Sequence, residues 1–205
     1  MKAIPITFLI TFLVLTSTTF AKERSYCSKP QKHSCSFYVD CLEANTSCGS
    51  EGYALAYGYH YCNVFLDLDS ELTEKGLKWR DSTMQCLQRK LVPFAIDERL
   101  HPVSCDRIEQ FAFKTHAPCY TQKKNSICFL DPIKDLPAIM TSIAVKDLLT
   151  SESKDQVLKV AQICVKQVRA KLEGTQPLNL KPSYDGETDQ NLRFWLELAK
   201  ARDSR

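Results

Sequence analysis

The sequence predicts an all-α domain cross-linked by disulfides, and three observations predict it. Apolar residues recur three or four apart over several segments, and no run of alternating Val, Ile or Thr makes a convincing strand. The chain of 205 residues holds ten cysteines. Its start reads as a secretory leader. Lys2 supplies a positive n-region, Ile6 to Leu15 an apolar h-region, and Thr19 and Ala21 the small residues for cleavage before Lys22. The apolar run falls short of the roughly 20 residues that span a bilayer, so 1–21 reads as a signal peptide and no membrane span is expected. All ten cysteines stay in the mature chain, and an even set in an oxidising compartment forms a disulfide framework.

The elements follow in chain order. Phe37, Tyr38, Cys41 and Leu42 share one helical face, and Tyr61, Cys62, Phe65 and Leu66 another within a segment from about Leu55 to Leu68. The third segment is the clearest, with Leu77, Arg80, Met84, Leu87 and Leu91 in register and Cys86 beside them. Ser104 suits the N-cap of a fourth helix carrying Cys105, Ile108, Phe111 and Ala112, which Pro118 is expected to stop. Asp131-Pro132 reads as an N-cap and first-turn proline opening a helix through Met140 and Ile143 to Leu148. A long helix from about Ser153 to Glu173 carries the stripe Val157, Ala161, Cys164, Val168, Leu172, with Gly174 at its C-terminal cap. Residues 175–187 read as a linker, and Thr188 to Ala201 as an amphipathic helix carrying Leu192, Trp195, Leu196 and Ala199. The organisation is thus a signal peptide (1–21), a disulfide-bonded helical domain (22–174), and a linker with a separable C-terminal helix (175–205).

Charge and motifs exclude more than they include. With 27 Lys+Arg against 24 Asp+Glu the net charge is +3, too small a field to indicate nucleic acid or an anionic membrane surface. The cysteines contain no CxxC pair, and His33, His60, His101 and His116 are scattered without an HExxH arrangement, so no zinc site is expected. Tyr57 to Cys62 and His116 to Tyr120 superficially resemble secreted phospholipase A2. However, Ala117 stands where the catalytic pair needs Asp, no Gly-Gly follows Cys62, and His116 lies 54 residues beyond it. No nucleophile elbow, P-loop or EF-hand is present. His116, beside Pro118, reads as a helix-end histidine rather than a base. The run from Asp67 to Lys75 reads as a solvated turn, and Tyr53, Tyr57, Tyr59 and Tyr61 as core packing first, with a contact surface as the alternative. No catalytic, cofactor or metal residues are assigned, and the chain is not read as an enzyme.

The cysteine order carries a family resemblance. The run Cys41-Leu42-Glu43-Ala44-Asn45-Thr46-Ser47-Cys48 resembles a stanniocalcin segment that holds an N-glycosylation sequon between two cysteines. Tyr61-Cys62-Asn63-Val64-Phe65, Gly76, and Ser82-x3-Cys86-Leu87 are similar to the next stretch of that family. Cys105-x2-Ile108, Cys119-Tyr120 and Cys128 are similar to its third block. Cys27, Cys35 and Cys164 match by order alone.

The resemblance implies a secreted helical glycoprotein hormone acting in calcium and phosphate balance. It also implies binding to extracellular proteins, a receptor or a pappalysin-type metalloprotease. The alternative is a secreted inhibitor or effector that uses the same scaffold against another extracellular protease or receptor. Asn45 is the expected glycosylation site. Ten cysteines allow roughly nine hundred complete pairings, and the resemblance implies one of them: Cys27–Cys41, Cys35–Cys62, Cys48–Cys105, Cys86–Cys119 and Cys128–Cys164. Three departures stand out. The link Gly49 to Tyr61 is longer than in the family, residues after about 175 do not align, and no cysteine beyond Cys164 remains to bridge two chains. A disulfide-linked dimer is therefore not expected, while a non-covalent one stays open.

Overall fold

The computed structural model describes residues 26–100, 102–174, 190, 191 and 193–197, and it is an all-α, disulfide-cross-linked fold. The expected signal peptide and linker lie outside the described residues. The main helices are α1 (His60–Leu66), α2 (Glu74–Ile96), α3 (Cys105–Tyr120), α4 (Asp135–Ser142), α5 (Val145–Leu148) and α6 (Ser151–Gly174). Before α1 the chain is wound more widely, in π-helical stretches at Tyr38–Glu43 and Tyr53–Tyr59. The first buries Tyr38, Cys41 and Leu42, as their shared face requires.

Helix α2 starts because the Thr73 hydroxyl accepts from the Gly76 amide at 3.1 Å. Its buried face includes Trp79, Met84, Leu87 and Leu91, and it also carries Arg80 inward. That guanidinium is neutralised where it is buried. It donates to Asp69 at 2.5 Å, to Asp81 at 2.9 Å, and to the carbonyls of Phe65 and Leu66. The charge run after Asp67 is thus only partly solvated, since Asp69 anchors this arginine.

Helix α3 lies antiparallel against α2: Cys119 is bridged to Cys86 and Phe111 packs on Phe94. Ser104 caps it as expected, accepting from the Arg107 amide at 3.3 Å. Pro118 does not stop it. The proline is exposed in the last turn, so the one backbone bond it cannot make falls where solvent reaches the helix. The Thr121 amide and hydroxyl then close that turn onto the Ala117 carbonyl. Phe111 also departs from the expected core face and is 37% exposed.

A short hairpin, β1 (Thr121–Gln122) with β2 (Asn125–Ser126), follows where no strand was expected. Asn125 pins it to α2, donating to the Lys78 carbonyl and the Ser82 hydroxyl. The single helix expected from Asp131 to Leu148 is two. Asp131 caps only a turn, accepting from the amides of Ile133 and Lys134, and α4 begins at Asp135. At Ile143 the backbone is extended, and the Ala144 amide donates to the Tyr61 hydroxyl instead of continuing the helix. Helix α6 begins at Ser151, where the Thr150 hydroxyl accepts from the Ser153 amide, and it includes Gly174. Its Ala161, Cys164 and Val168 are buried as expected. The C-terminal segment docks back onto this part: Trp195 is 3% exposed and its indole N–H donates to the Cys128 carbonyl.

Five disulfides join Cys27–Cys41, Cys35–Cys62, Cys48–Cys105, Cys86–Cys119 and Cys128–Cys164, the same pairs the stanniocalcin resemblance implies, and no cysteine is free. Four of them lie within residues 27–119, and the fifth lies within the part that follows. None crosses between the two.

The seam is therefore non-covalent apart from the connecting chain. One latch is Asp135, fully buried on α4, whose carboxylate accepts from the Thr73 amide (2.7 Å), the Thr73 hydroxyl (2.8 Å) and the Asp131 amide (3.2 Å). Gly76 makes this approach possible, because a Cβ there would lie 2.5 Å from the Asp135 carboxylate oxygen.

Candidate functional site

The other part of the seam is built from the residues between Tyr53 and Tyr61, from α3, and from the α5–α6 corner. The π-helical turn Tyr53–Tyr59 brings two tyrosines onto α3. Gly58 lets it do so: a Cβ at this position would come within 2.5 Å of the Tyr38 ring. The Tyr53 ring meets Phe113 edge-on at 5.9 Å, and Tyr57 sits 4.9 Å from Phe113 and 5.8 Å from His116. Tyr61 ties in the opposite wall, donating to the Asp147 carboxylate and accepting from the Ala144 amide.

His116 is the hub of this arrangement. It is 1% exposed, inside the last two turns of α3 rather than at a free helix end. Its Nδ1–H donates to the Gln156 side-chain oxygen on α6 at 2.7 Å, which leaves Nε2 to accept from the Tyr53 hydroxyl at 3.0 Å. Gln156 also bonds the Tyr120 hydroxyl. Burial pushes the imidazole down to about 4, against an opposing effect of the Gln156 bond. The same burial pushes Tyr53 well above its ordinary value and Tyr57 up to about 12. At neutral pH the cluster is thus uncharged, with both imidazole nitrogens hydrogen-bonded.

Outside this cluster lies a cavity of about 460 Å³. Tyr53, Tyr57 and Phe113 form its aromatic walls, and Ala56 and Ala144 leave the space open. Its rim holds four carboxylates, Glu51, Glu109, Asp147 and Glu152, against the single cation Lys146, with His60 beside them. The tyrosine run expected to be core packing therefore divides: Tyr53 and Tyr61 are buried, Tyr57 is half-buried against the cavity, and Tyr59 is 40% exposed. The rim carboxylates come from three separate stretches of chain, before the Tyr53–Tyr59 turn, on α3 and at the α5–α6 corner, so no spacing in the sequence could have assembled them.

The remaining predicted site residues lie elsewhere. Asn45 is exposed on the turn Ala44–Thr46, its side-chain amide donating to the Phe94 carbonyl at 3.1 Å, and Ser47 of its sequon adopts a left-handed backbone with φ 49°. Among the described residues no group of three His, Cys, Asp or Glu side chains is placed to hold a metal ion. Among them, too, no helix is long and apolar enough to cross a membrane. Comparison with family models, with curated proteins and with solved structures gives no match.

Proposed function

We propose that this chain is a secreted, stanniocalcin-like glycoprotein, a hormone or paracrine regulator in calcium and phosphate balance that works by binding an extracellular protein. In this reading it performs no catalysis of its own. What supports it is the intramolecular pairing of all ten cysteines in the order the resemblance implies, together with the leader-like start and the exposed sequon at Asn45. The one buried imidazole among the described residues is a poor general base near neutral pH, because it is held neutral and both its nitrogens are engaged.

A second reading has its own observation. The long link Gly49 to Tyr61 departs from the family, and it forms one wall of the cavity. A secreted inhibitor or effector using this wall against another extracellular protease or receptor is the alternative. Adding the mature protein to a pappalysin-type metalloprotease assay separates the two. Dose-dependent inhibition is expected from the first reading. Unchanged protease activity, with capture of an unrelated receptor from extracellular fluid, would favour the second.

A further inference from the structure

We propose that the cavity at the seam binds the cationic side chain of an arginine or lysine presented by the extracellular protein partner, a proposal that rests on the binding-protein reading above.

The first argument is charge. The chain carries a net +3, yet the cavity rim has four carboxylates to one lysine. None of these four is ion-paired with Lys or Arg among the described residues. Glu152 accepts from its own backbone amide and the Ser151 hydroxyl, Glu51 from the Ser50 hydroxyl, and Asp147 from Tyr61. Uncompensated negative charge around a concave site favours a cation and opposes an anion.

The second argument is the walls. The rings of Tyr53, Tyr57 and Phe113 line the cavity, and aromatic faces attract a guanidinium or ammonium through their quadrupole. Carboxylates above such faces add charge-assisted hydrogen bonds to the same group. A bare metal ion is a worse fit, since the carboxylates are not gathered into a ligand set. The volume, about 460 Å³, lies in the roughly 300–1,000 Å³ range of sites that enclose a small ligand.

Val145 and Leu149, next in sequence to the lining residues Lys146 and Thr150, are 71% and 59% exposed. Exposed apolar side chains on the segment that lines a charged pocket suit a protein surface delivering one basic residue, because they offer contact area a free amine would not use. The wall formed by Tyr57 is fixed from behind by the His116 cluster, so the pocket is organised before any partner arrives.

The test is an NMR titration of the full mature protein with N-acetyl-arginine methylamide, and with the neutral citrulline analogue as control. Saturable shifts of the Tyr57 and Phe113 ring resonances are expected with arginine only, and they should weaken as salt is raised. The double variant Glu109→Gln/Glu152→Gln alters two exposed rim residues and is expected to weaken binding about tenfold. Glu71→Gln, exposed and outside the rim, is expected to change nothing. No saturable shift, or equal shifts with citrulline, would overturn the proposal. Capture of an extracellular partner by the wild type, undiminished in the double variant, would also overturn it while leaving the binding-protein reading intact. Arginine binding with no extracellular partner captured would leave the pocket standing and remove that reading instead.

Discussion

Residues 27–119 and the residues that follow them are held together in different ways. The first part is closed by four disulfides over a short stretch of chain. The second has one, Cys128–Cys164, and otherwise depends on packing of α4, α6 and Trp195. Between them run only non-covalent contacts and the connecting chain, chiefly Asp135 on Thr73 and Gln156 on His116. The difference teaches where this fold can give way. Covalent links tie the first part together without the seam, whereas the walls of the cavity come from both parts and need the seam closed.

The largest expected effect is covalent. Each bridge contributes about 2–4 kcal/mol by restricting the unfolded chain, so reducing all five removes an amount comparable to the whole stability of a domain, about 5–15 kcal/mol. Replacing Cys128 and Cys164 together by Ser should unfold only the second part. Hydrogen exchange measured segment by segment should show α6 losing protection while α2 keeps it. Equal loss in both helices would break the comparison.

Next comes the tail. Trp195→Ala should cost about 3–5 kcal/mol, read from the denaturant midpoint, because it empties a buried site beside the Cys128 carbonyl. Truncation after Gly174 should act on the second part in the same way and leave the first part folded. The C-terminal segment is thus expected to be separable from the first part and to contribute to the packing of the second.

Acid gives the third effect. His116 titrates at about 4 in the fold and near 6.5 when unfolded. The neutral form is the one the fold holds, so its stabilisation is complete above pH 6.5. It declines as pH falls, because the unfolded chain takes up the proton first, and the loss levels off below pH 4. The difference amounts to something on the order of 3 kcal/mol. Thermal unfolding midpoints should fall over this window, and His116→Gln should flatten that part of the profile. A midpoint independent of pH between 6.5 and 4 in the wild type would contradict the burial of His116.

The smallest effect is at Asn45. Replacing this exposed residue by Gln should remove any glycan, seen as a mass loss in protein secreted by eukaryotic cells. It should cost about 1 kcal/mol or less through its bond to the Phe94 carbonyl.

Much of the helical frame was legible in the sequence, because period and caps are local. Ser104 is the expected cap and caps α3 through its own hydroxyl, whereas the caps Thr73 and Thr150 are equally local but were not expected. Much of the buried faces of α2 and α6 follows from spacing. The pairing of cysteines was not local, and only resemblance suggested it. The breaks were illegible for the same reason. Tyr61, 83 residues away in the chain, terminates the expected long helix at Ala144, and Pro118 is tolerated because it sits on the exposed face of an otherwise buried last turn. The cavity was the least readable feature. Its tyrosines looked like core, and its carboxylates gather only when α3, α5 and α6 meet.

The most direct test of a seam closed around a neutral histidine is an NMR pH titration of the His116 imidazole in the intact, oxidised protein. The account predicts an apparent pKa of about 4 with the proton on Nδ1. A midpoint near the ordinary 6.5 would show the imidazole open to solvent and contradict it.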